Sequence, residues 1–428
     1  MHGLCKRDIS ENLILSAVFG IYQRNRHFYQ PNIEYISERA TRSPLKRNLN
    51  REPKSRGVPS PQTTPKKGGG GMENSYSYEV SSITIPSLTL ESGTTLHDVN
   101  LAYERTGNKE GPVILVCHAL TGTHIVKGTS EDRGWWDGLI GPGLYIDTDL
   151  YNVIAFNVLG GCEGSTGPTS TNPETGERYG PDFPHITIRD MVHAQYEALQ
   201  QLSVDHIEAV IGGSLGGMQA LEWGALYPTY IHKVFALAVS PALNDYGLAF
   251  NHIGITAIEG DPDFQKGRYP HGAILKGLEI ARMVGMVTYR TQELFDQRFQ
   301  RERTNEQYNV ESYLDYQGKK LGKRFDPNSY LTLLKAMNTH DIGRGRGGTE
   351  VFADSYPCEL VSISYEGDLI YSPHYLKEFT IGVPMGEHYF IPTAFGHDGF
   401  LVEFEKWGGI ISSHLINHQG QKIVTNMK

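Results

Sequence analysis

The segment around Ser214 constrains the fold more than any other part of the chain. Residues 206–211 have the pattern of a buried strand, and residues 218–223 have the composition of a helix. Between them lies Gly-Gly-Ser-Leu-Gly-Gly, which contains the spacing Gly-x-Ser-x-Gly. A strand that turns into a helix within so few residues strains the central residue and leaves little room for flanking side chains. We therefore predict that Ser214 is exposed at the C-terminal end of a strand, beside the free N–H groups of a helix N-terminus.

Strand and helix patterns alternate along most of the chain. Thr187 and Asp190 open one predicted helix as a Thr/Asp variant of the capping box. Strand patterns recur at residues 78–85, 99–103, 113–117, 152–156, 206–211, 234–239, 359–364 and 389–391. Several of these runs are apolar throughout, as expected for strands buried on both faces of a parallel sheet. The alternation predicts an α/β fold with a mostly parallel sheet flanked by helices.

Two regions break this alternation. Residues 245–349 are helical in pattern, and an insertion between two parallel strands can lie over the C-terminal ends of the sheet, so we interpret them as a helical lid. Residues 76–244 and 350–428 are then the two parts of the core. Residues 1–75 are rich in Pro, Ser and basic side chains, and we interpret them as a disordered or artefactual extension. Met72 is a candidate start of the enzyme, and a targeting segment is the alternative.

Charge and composition exclude several functional classes. Residues 1–71 carry 13 Lys/Arg and 5 Asp/Glu, so the remaining residues carry a net charge of −17 when the whole chain carries −9. An acidic body argues against nucleic-acid binding. No apolar run is long enough to span a bilayer. The four cysteines are scattered without a Cys-x-x-Cys pair, which fits a reducing, cytoplasmic setting and argues against a zinc module and a disulfide framework. We expect no bound metal.

A nucleophilic serine needs a histidine base, and that histidine needs an orienting carboxylate. In sheets of this kind the three occur in the chain order serine, acid, histidine. Asp368 and His397 fit this order, and each comes directly after a predicted strand. Asp398 is the rival acid, but neighbouring side chains usually diverge, so we prefer Asp368. The predicted triad is therefore Ser214, Asp368 and His397.

An oxyanion hole would combine the N–H of Leu215, directly after the serine, with an N–H from the loop after an earlier strand. That loop is His-Ala-Leu-Thr-Gly, residues 118–122. We prefer Leu120 as the second donor, with Ala119 as the alternative.

Several motifs together resemble the homoserine O-acetyltransferase family. They are His-Ala-Leu-Thr-Gly at 118–122, Asn-Val-Leu-Gly-Gly-Cys at 157–162, the elbow run through Gln219-Ala220-Leu221-Glu222-Trp223, Thr-Tyr-Arg at 288–290, Thr-His-Asp-Ile-Gly-Arg-Gly-Arg-Gly-Gly at 339–348 and Gly-His-Asp-Gly-Phe-Leu at 396–401. The resemblance covers residues 78–415. It implies an α/β-hydrolase fold with a helical lid that often mediates a homodimer. It also implies acyl transfer from acyl-CoA to homoserine, toward methionine, with acetyl-CoA as co-substrate and no permanently bound cofactor.

The resemblance further assigns Arg282 and Asp398 to the acceptor, as partners of its carboxylate and its ammonium. Arg282 also lies in an apolar stripe of its predicted helix, where an arginine needs an anionic partner. Glu279, three residues earlier, is the alternative partner. A serine O-acetyltransferase, a homoserine O-succinyltransferase and a serine esterase are alternative functions.

Overall fold

The computed structural model describes residues 76–425, with side chains from Ser77 to Leu415. The predicted extension at residues 1–75 and the candidate start at Met72 lie outside the described residues. The described residues belong to one compact unit. None of the helices described is long and apolar enough to cross a membrane.

A single eight-stranded sheet forms the centre of this unit. Its strands are β1 (Tyr76–Thr89), β2 (Thr95–Asn108), β3 (Val113–Cys117), β4 (Asn152–Phe156), β5 (Ile207–Gly213), β6 (Ile231–Leu237), β7 (Glu359–Tyr365) and β8 (Gly386–Ile391). Their spatial order is β1-β2-β4-β3-β5-β6-β7-β8. β1 and β2 form an antiparallel hairpin, and β2 is also antiparallel to β4. All pairs from β4 to β8 are parallel, which confirms the mostly parallel sheet.

Helices cover both faces of the sheet and fill the connections. They are α1 (Ile188–Gln201), α2 (Leu215–Leu226), α3 (Asp245–Glu259), α4 (Lys276–Thr288), α5 (Gln292–Phe299), α6 (Asn309–Gly322), α7 (Pro327–Asn338), α8 (Thr349–Asp354), α9 (Pro373–Gly382) and α10 (Phe404–Thr425). Leu115 of β3 packs into one apolar core, whereas Ile114 and Val116 pack into a second. Successive side chains of a strand point to opposite faces, so these central strands read as continuous apolar runs because both faces are buried.

The first helix begins where the sequence predicts. The Thr187 side chain accepts a hydrogen bond from the backbone N–H of Asp190, and the Asp190 carboxylate accepts one from the N–H of Thr187 at 2.8 Å. This reciprocal pair satisfies N–H groups that have no partner inside the helix. The predicted capping box is confirmed.

Helices α3 to α8 form one insertion between β6 and β7. Within it, α4 packs against both α3 and α6, and α3 also packs against α7. The last helix, α8, ends at Asp354, five residues beyond the limit predicted for this region. The insertion contributes Ala281 of α4 and Leu334 of α7 to the wall of a cavity that also includes Ser214. It therefore lies over the end of β5.

The glycine-rich turn at residues 343–348 attaches the insertion to α2. Arg346 forms hydrogen bonds with both carboxylate oxygens of Glu222, at 3.3 and 2.8 Å. Arg189 of α1 reaches the same carboxylate at 3.1 Å. The Glu222 side chain is 1% exposed, so a buried negative charge is balanced by two guanidinium groups. The turn thus has a structural role in this fold.

We expect Glu222→Ala to lower the free energy of unfolding by about 3–5 kcal/mol, because it leaves two guanidinium groups partly buried without their anion. Denaturant-induced unfolding followed by fluorescence measures this change. Glu259→Ala is the matched control, because Glu259 pairs with Lys335 where both side chains are about half exposed. That variant should lose less than about 1 kcal/mol. Equal losses in the two variants would contradict the role given to Glu222.

Candidate active site

Ser214 occupies the turn between β5 and α2. Its backbone angles are φ 59° and ψ −124°, a conformation that residues with a side chain rarely adopt. The Ser214 N–H donates to the carbonyl of Leu237 in β6, and its carbonyl accepts from the N–H of Met218 at 3.0 Å. Bonds to both neighbouring elements hold the strained residue in place. The structure therefore has the nucleophile-elbow geometry that the sequence pattern predicts.

The glycines around Ser214 are required by close backbone contacts. A Cβ atom on Gly216 would lie 2.0 Å from the carbonyl oxygen of Cys117, at the end of β3. A Cβ atom on Gly212 would lie 2.3 Å from the carbonyl oxygen of Gly216. Neither position accepts a side chain unless the backbone moves. This approach brings the start of α2 next to the loop after β3, which holds the second predicted oxyanion donor.

Asp368 and His397 lie in loops after β7 and β8. Asp368 Oδ2 is 2.8 Å from His397 Nδ1, and both side chains are at most 5% exposed. The other oxygen, Oδ1, accepts hydrogen bonds from the N–H groups of Ile370 and Tyr371 at 2.9 Å each. Both carboxylate oxygens are therefore engaged, and the carboxylate is fixed in orientation. The contact places the proton of neutral His397 on Nδ1 and leaves Nε2 as a proton acceptor.

The electrostatic surroundings of His397 favour its protonated form. Burial is the largest effect and lowers the pKa of the imidazole. The charge and hydrogen bond of Asp368 and the charge of Asp398 oppose it, so the pKa is raised above its ordinary value. A base with a raised pKa is a stronger proton acceptor.

Two tyrosines connect His397 to the cavity that contains Ser214. The ring of Tyr289 lies 5.5 Å from the His397 ring, and that of Tyr371 lies 5.2 Å from it. Both tyrosines line the cavity. Over residues 77–415, no hydrogen bond joins Ser214 to His397. Such contacts are often long in a free enzyme and shorten when substrate binds.

The structure places both predicted oxyanion donors at Ser214. Leu215 is the first residue of α2, and Leu120 lines the same cavity as Ser214. Within the described chain, neither backbone N–H donates to another residue. Both amides thus remain available to an oxygen atom bound beside the serine.

A buried histidine fixes the orientation of the Leu120 amide. His118 Nε2 accepts the N–H of Val158 at 3.0 Å, so the proton of the ring is on Nδ1, which donates to the Ala119 carbonyl at 2.7 Å. Burial lowers the pKa of His118 to about 4 and keeps it neutral. The Ala119 carbonyl and the Leu120 N–H belong to one trans peptide and point in opposite directions. Holding the carbonyl therefore holds the N–H. No sequence pattern predicted this role of His118.

Arg282 lies on α4 with its guanidinium 5.7 Å from the centre of the Tyr289 ring. The alternative partner, Glu279, instead forms an ion pair with Lys276 at 2.9 Å. Among the described residues, Arg282 has no ion pair or hydrogen bond. A half-buried guanidinium without an anionic partner, one ring away from His397, suits a ligand carboxylate.

Asp398 has a protein partner that the sequence analysis did not identify. Its Oδ2 atom is 2.9 Å from Nε of Arg290, and its backbone N–H donates to the carbonyl of Tyr289. Asp398 is therefore turned away from Nδ1 of His397, which Asp368 occupies. The Thr-Tyr-Arg motif at residues 288–290 singles out Arg290 in the sequence, but it does not indicate which residue Arg290 contacts.

Two cavities lie near the triad, and neighbouring residues of the chain line them. The cavity beside Ser214 measures about 40 Å³ and is lined mostly by apolar and aromatic side chains. An open groove of about 700 Å³ adjoins it. The two cavities are neighbours because Leu120 lines the first and Thr121 the second, and Ala281 lines the first and Arg282 the second. No group of side chains suited to a metal ion occurs among the described residues.

Comparison with known proteins identifies relatives of this fold and site. Residues 112–403 match the family described as alpha/beta hydrolase fold, which confirms the predicted fold class. The homoserine O-acetyltransferase of Carboxydothermus hydrogenoformans is 42% identical over 371 residues, covering 81% of this chain and 98% of that protein. The crystal structure of homoserine O-acetyltransferase from Bacillus anthracis superposes with a TM-score of 0.74 at 27% identity, covering 79% of this chain and 97% of that one. Esterase E22 superposes with a TM-score of 0.73 at 27% identity, covering 79% of this chain and 100% of that one.

Proposed function

Because the chain belongs to the homoserine O-acetyltransferase family, we propose that it transfers an acetyl group from acetyl-CoA to the hydroxyl of L-homoserine through an acetyl-Ser214 intermediate. The product is O-acetyl-L-homoserine, an intermediate toward methionine. The observation that supports this most is the strained Ser214 beside the buried Asp368–His397 pair. The unpaired Arg282 supports an amino-acid acceptor.

In the first half-reaction, His397 Nε2 takes the proton of the Ser214 hydroxyl as its oxygen attacks the carbonyl carbon of the thioester. The carbonyl oxygen becomes negative and accepts hydrogen bonds from the N–H groups of Leu120 and Leu215. The carbon–sulfur bond then breaks, and the thiol of CoA leaves with the proton from His397. The serine keeps the acetyl group as an ester.

In the second half-reaction, homoserine replaces CoA. His397 takes the proton of the homoserine hydroxyl, whose oxygen attacks the acetyl carbon. The bond to Ser214 breaks, and the serine recovers its proton from His397. Arg282 binds the carboxylate of homoserine. The ammonium of homoserine donates a hydrogen bond to Oδ1 of Asp398, the carboxylate oxygen that Arg290 does not contact.

Water competes with homoserine for the acetyl group. Ser214 is 6% exposed, and helices α4 and α7 wall the cavity above it. We infer that the insertion acts as a lid that limits access of water during the lifetime of the ester. A substitution in the insertion that increases hydrolysis of acetyl-CoA in the absence of homoserine would identify a residue with this role.

A serine esterase is the second candidate, supported by the similarity to esterase E22. A serine O-acetyltransferase and a homoserine O-succinyltransferase are the closer alternatives.

The purified protein should be assayed with acetyl-CoA and succinyl-CoA, each with homoserine, serine or water as acceptor. We expect acetyl-CoA with homoserine to give the highest kcat/KM. Faster hydrolysis of simple esters than transfer to any amino acid would show an esterase instead.

We also infer that the enzyme is a cytoplasmic homodimer assembled through the insertion. Exposed apolar side chains of α3 and α4, Tyr246, Ile253, Ile280 and Val287, support an interface there. Light scattering coupled to size exclusion measures the mass of the particle, and a monomer at micromolar concentration would contradict this inference.

The pH dependence should report the raised pKa of His397. Only neutral His397 accepts a proton, so activity should fall as pH drops through a pKa above that of an ordinary histidine. Asp398→Asn removes one charge that raises this pKa and should move the acidic limb to lower pH. The rate of CoA release from acetyl-CoA, measured against pH, tests both statements. An unchanged limb in the variant would contradict them.

His118→Ala should lower kcat by about 10²–10³-fold, the cost of losing one oxyanion donor, with little change in KM. The substitution removes the hydrogen bond from His118 to the Ala119 carbonyl. The orientation of the Leu120 amide is then no longer fixed. His388→Ala is the control, since His388 is also a neutral histidine with lowered pKa but bonds Ser362 and Ser364 instead. Thermal melting separates loss of stability from loss of rate. A kcat for His118→Ala equal to that of the control would refute the assignment.

A further inference from the structure

We propose that the open groove next to the Ser214 cavity binds the diphosphate of the acyl-CoA donor, with Lys320 and Arg324 as its contacts. This inference rests on the proposed function, because it assumes a donor whose acyl group is carried by a phosphorylated nucleotide.

The size of the inner cavity requires a second site for the donor. One ordered water needs about 10–15 Å³ of such a cavity, so the 40 Å³ beside Ser214 holds a group of only a few atoms. An acetyl group fits, whereas the carrier of the thioester does not. The carrier must therefore extend outward, and the groove of about 700 Å³ begins one residue away at Thr121 and Arg282.

The charge of the groove is opposite to that of the chain around it. Four cationic side chains line the groove, namely Arg133, Arg282, Lys320 and Arg324. Its two carboxylates are those of Asp132 and Glu163. The chain after residue 71 carries a net charge of −17. A cationic lining in an acidic protein concentrates anionic ligands at that place.

The individual cations differ in how much they are engaged. Arg133 pairs with Asp137 on the surface, and Arg282 is assigned to the acceptor. Lys320 has no ion pair or hydrogen bond among the described residues. Arg324 donates to the carbonyl of Thr121 at 2.7 Å and pairs with Glu163 at 3.2 Å, so its guanidinium is held in place at the mouth of the groove.

A free ammonium beside a fixed guanidinium suits a diphosphate. The guanidinium offers several N–H donors in a fixed plane, and the lysine supplies a mobile point charge. Lys320 lies on α6, and Arg324 lies two residues after its end. A diphosphate bound there would leave the thioester end free to enter the cavity beside Ser214.

The test compares two acetyl donors. One is acetyl-CoA, and the other is the acetyl thioester of N-acetylcysteamine, which has no phosphate. Lys320→Gln should lower kcat/KM for acetyl-CoA by about three- to tenfold through a higher KM, the range for a partly exposed charge contact. It should leave kcat/KM for the truncated donor unchanged.

Lys319→Gln is the matched control, because it removes the same charge from the same helix at an exposed position outside the groove. It should affect neither donor. Arg324→Gln should slow both donors, because Arg324 also holds the loop of Leu120, but acetyl-CoA more than the truncated donor. Equal effects of Lys320→Gln on both donors, or equal effects of Lys319→Gln and Lys320→Gln, would overturn the proposal.

The wild-type protein separates this inference from the proposed function. If both donors react with equal kcat/KM, the groove contributes no diphosphate contact, although the proposed transfer stands. If neither thioester donates its acetyl group, the proposed function fails and the groove assignment fails with it.

Discussion

Ser214→Ala should reduce acetyl transfer by about 10⁴–10⁶-fold, the loss found when the nucleophile of a triad is removed. The reason is that no other group of the described site can hold the acetyl group between the half-reactions. The cavity, the Leu120 and Leu215 amides and the Asp368–His397 pair should remain, so acetyl-CoA should still bind. Transfer is measured as O-acetylhomoserine formed with time.

Ser240→Ala is the control for this experiment. Ser240 is also fully buried near the C-terminal end of a parallel strand, but its hydroxyl donates to the carbonyl of Ala242. That variant should keep most of its activity. A Ser214→Ala protein with normal melting temperature and near-normal transfer would rule out the covalent route.

Asp368→Asn should lower kcat by about 10⁴-fold, because it reverses the tautomer of His397. The N–H groups of Ile370 and Tyr371 both point at Oδ1 and will hold the carbonyl oxygen of the new amide there. Its NH₂ group then faces His397 Nδ1, which must become the acceptor. The proton of the imidazole moves to Nε2, where it blocks removal of the Ser214 proton.

Asp398→Asn provides the comparison for Asp368→Asn. It changes the neighbouring carboxylate by the same single group, but Asp398 contacts Arg290 rather than the ring of His397. We expect mainly a higher KM for homoserine. If the two variants lost kcat to the same extent, the orienting role would not belong to Asp368 alone.

The parts of the structure that local sequence determines were predictable. β3 could be placed because a strand buried on both faces needs apolar residues throughout, and its limits at Val113 and Cys117 match the apolar run. Strand ends with weaker patterns shifted: β6 begins at Ile231, three residues before the predicted start, where half-buried His232 lies between buried neighbours. The elbow was predictable because its glycines are required by distances within a few residues.

Contacts between distant segments were not predictable from pattern. Arg290 and Asp398 are 108 positions apart in the sequence, and only the folding of the chain brings them together. His118 has an ordinary position in the sequence, and its role arises from a tautomer that Val158, 40 residues away, selects. Sequence alone did not decide whether Arg282 pairs with Glu279 or with a ligand. In the structure Glu279 forms a salt bridge with Lys276, which the helical spacing allows but does not require.

The most direct test of the central claim is the mass of the protein after brief exposure to acetyl-CoA without homoserine. We predict an increase of one acetyl group, located on Ser214 by peptide fragmentation and absent from Ser214→Ala. Addition of homoserine should remove it and release one equivalent of O-acetylhomoserine. An unmodified Ser214 in a protein that transfers acetyl to homoserine at full rate would contradict the covalent mechanism.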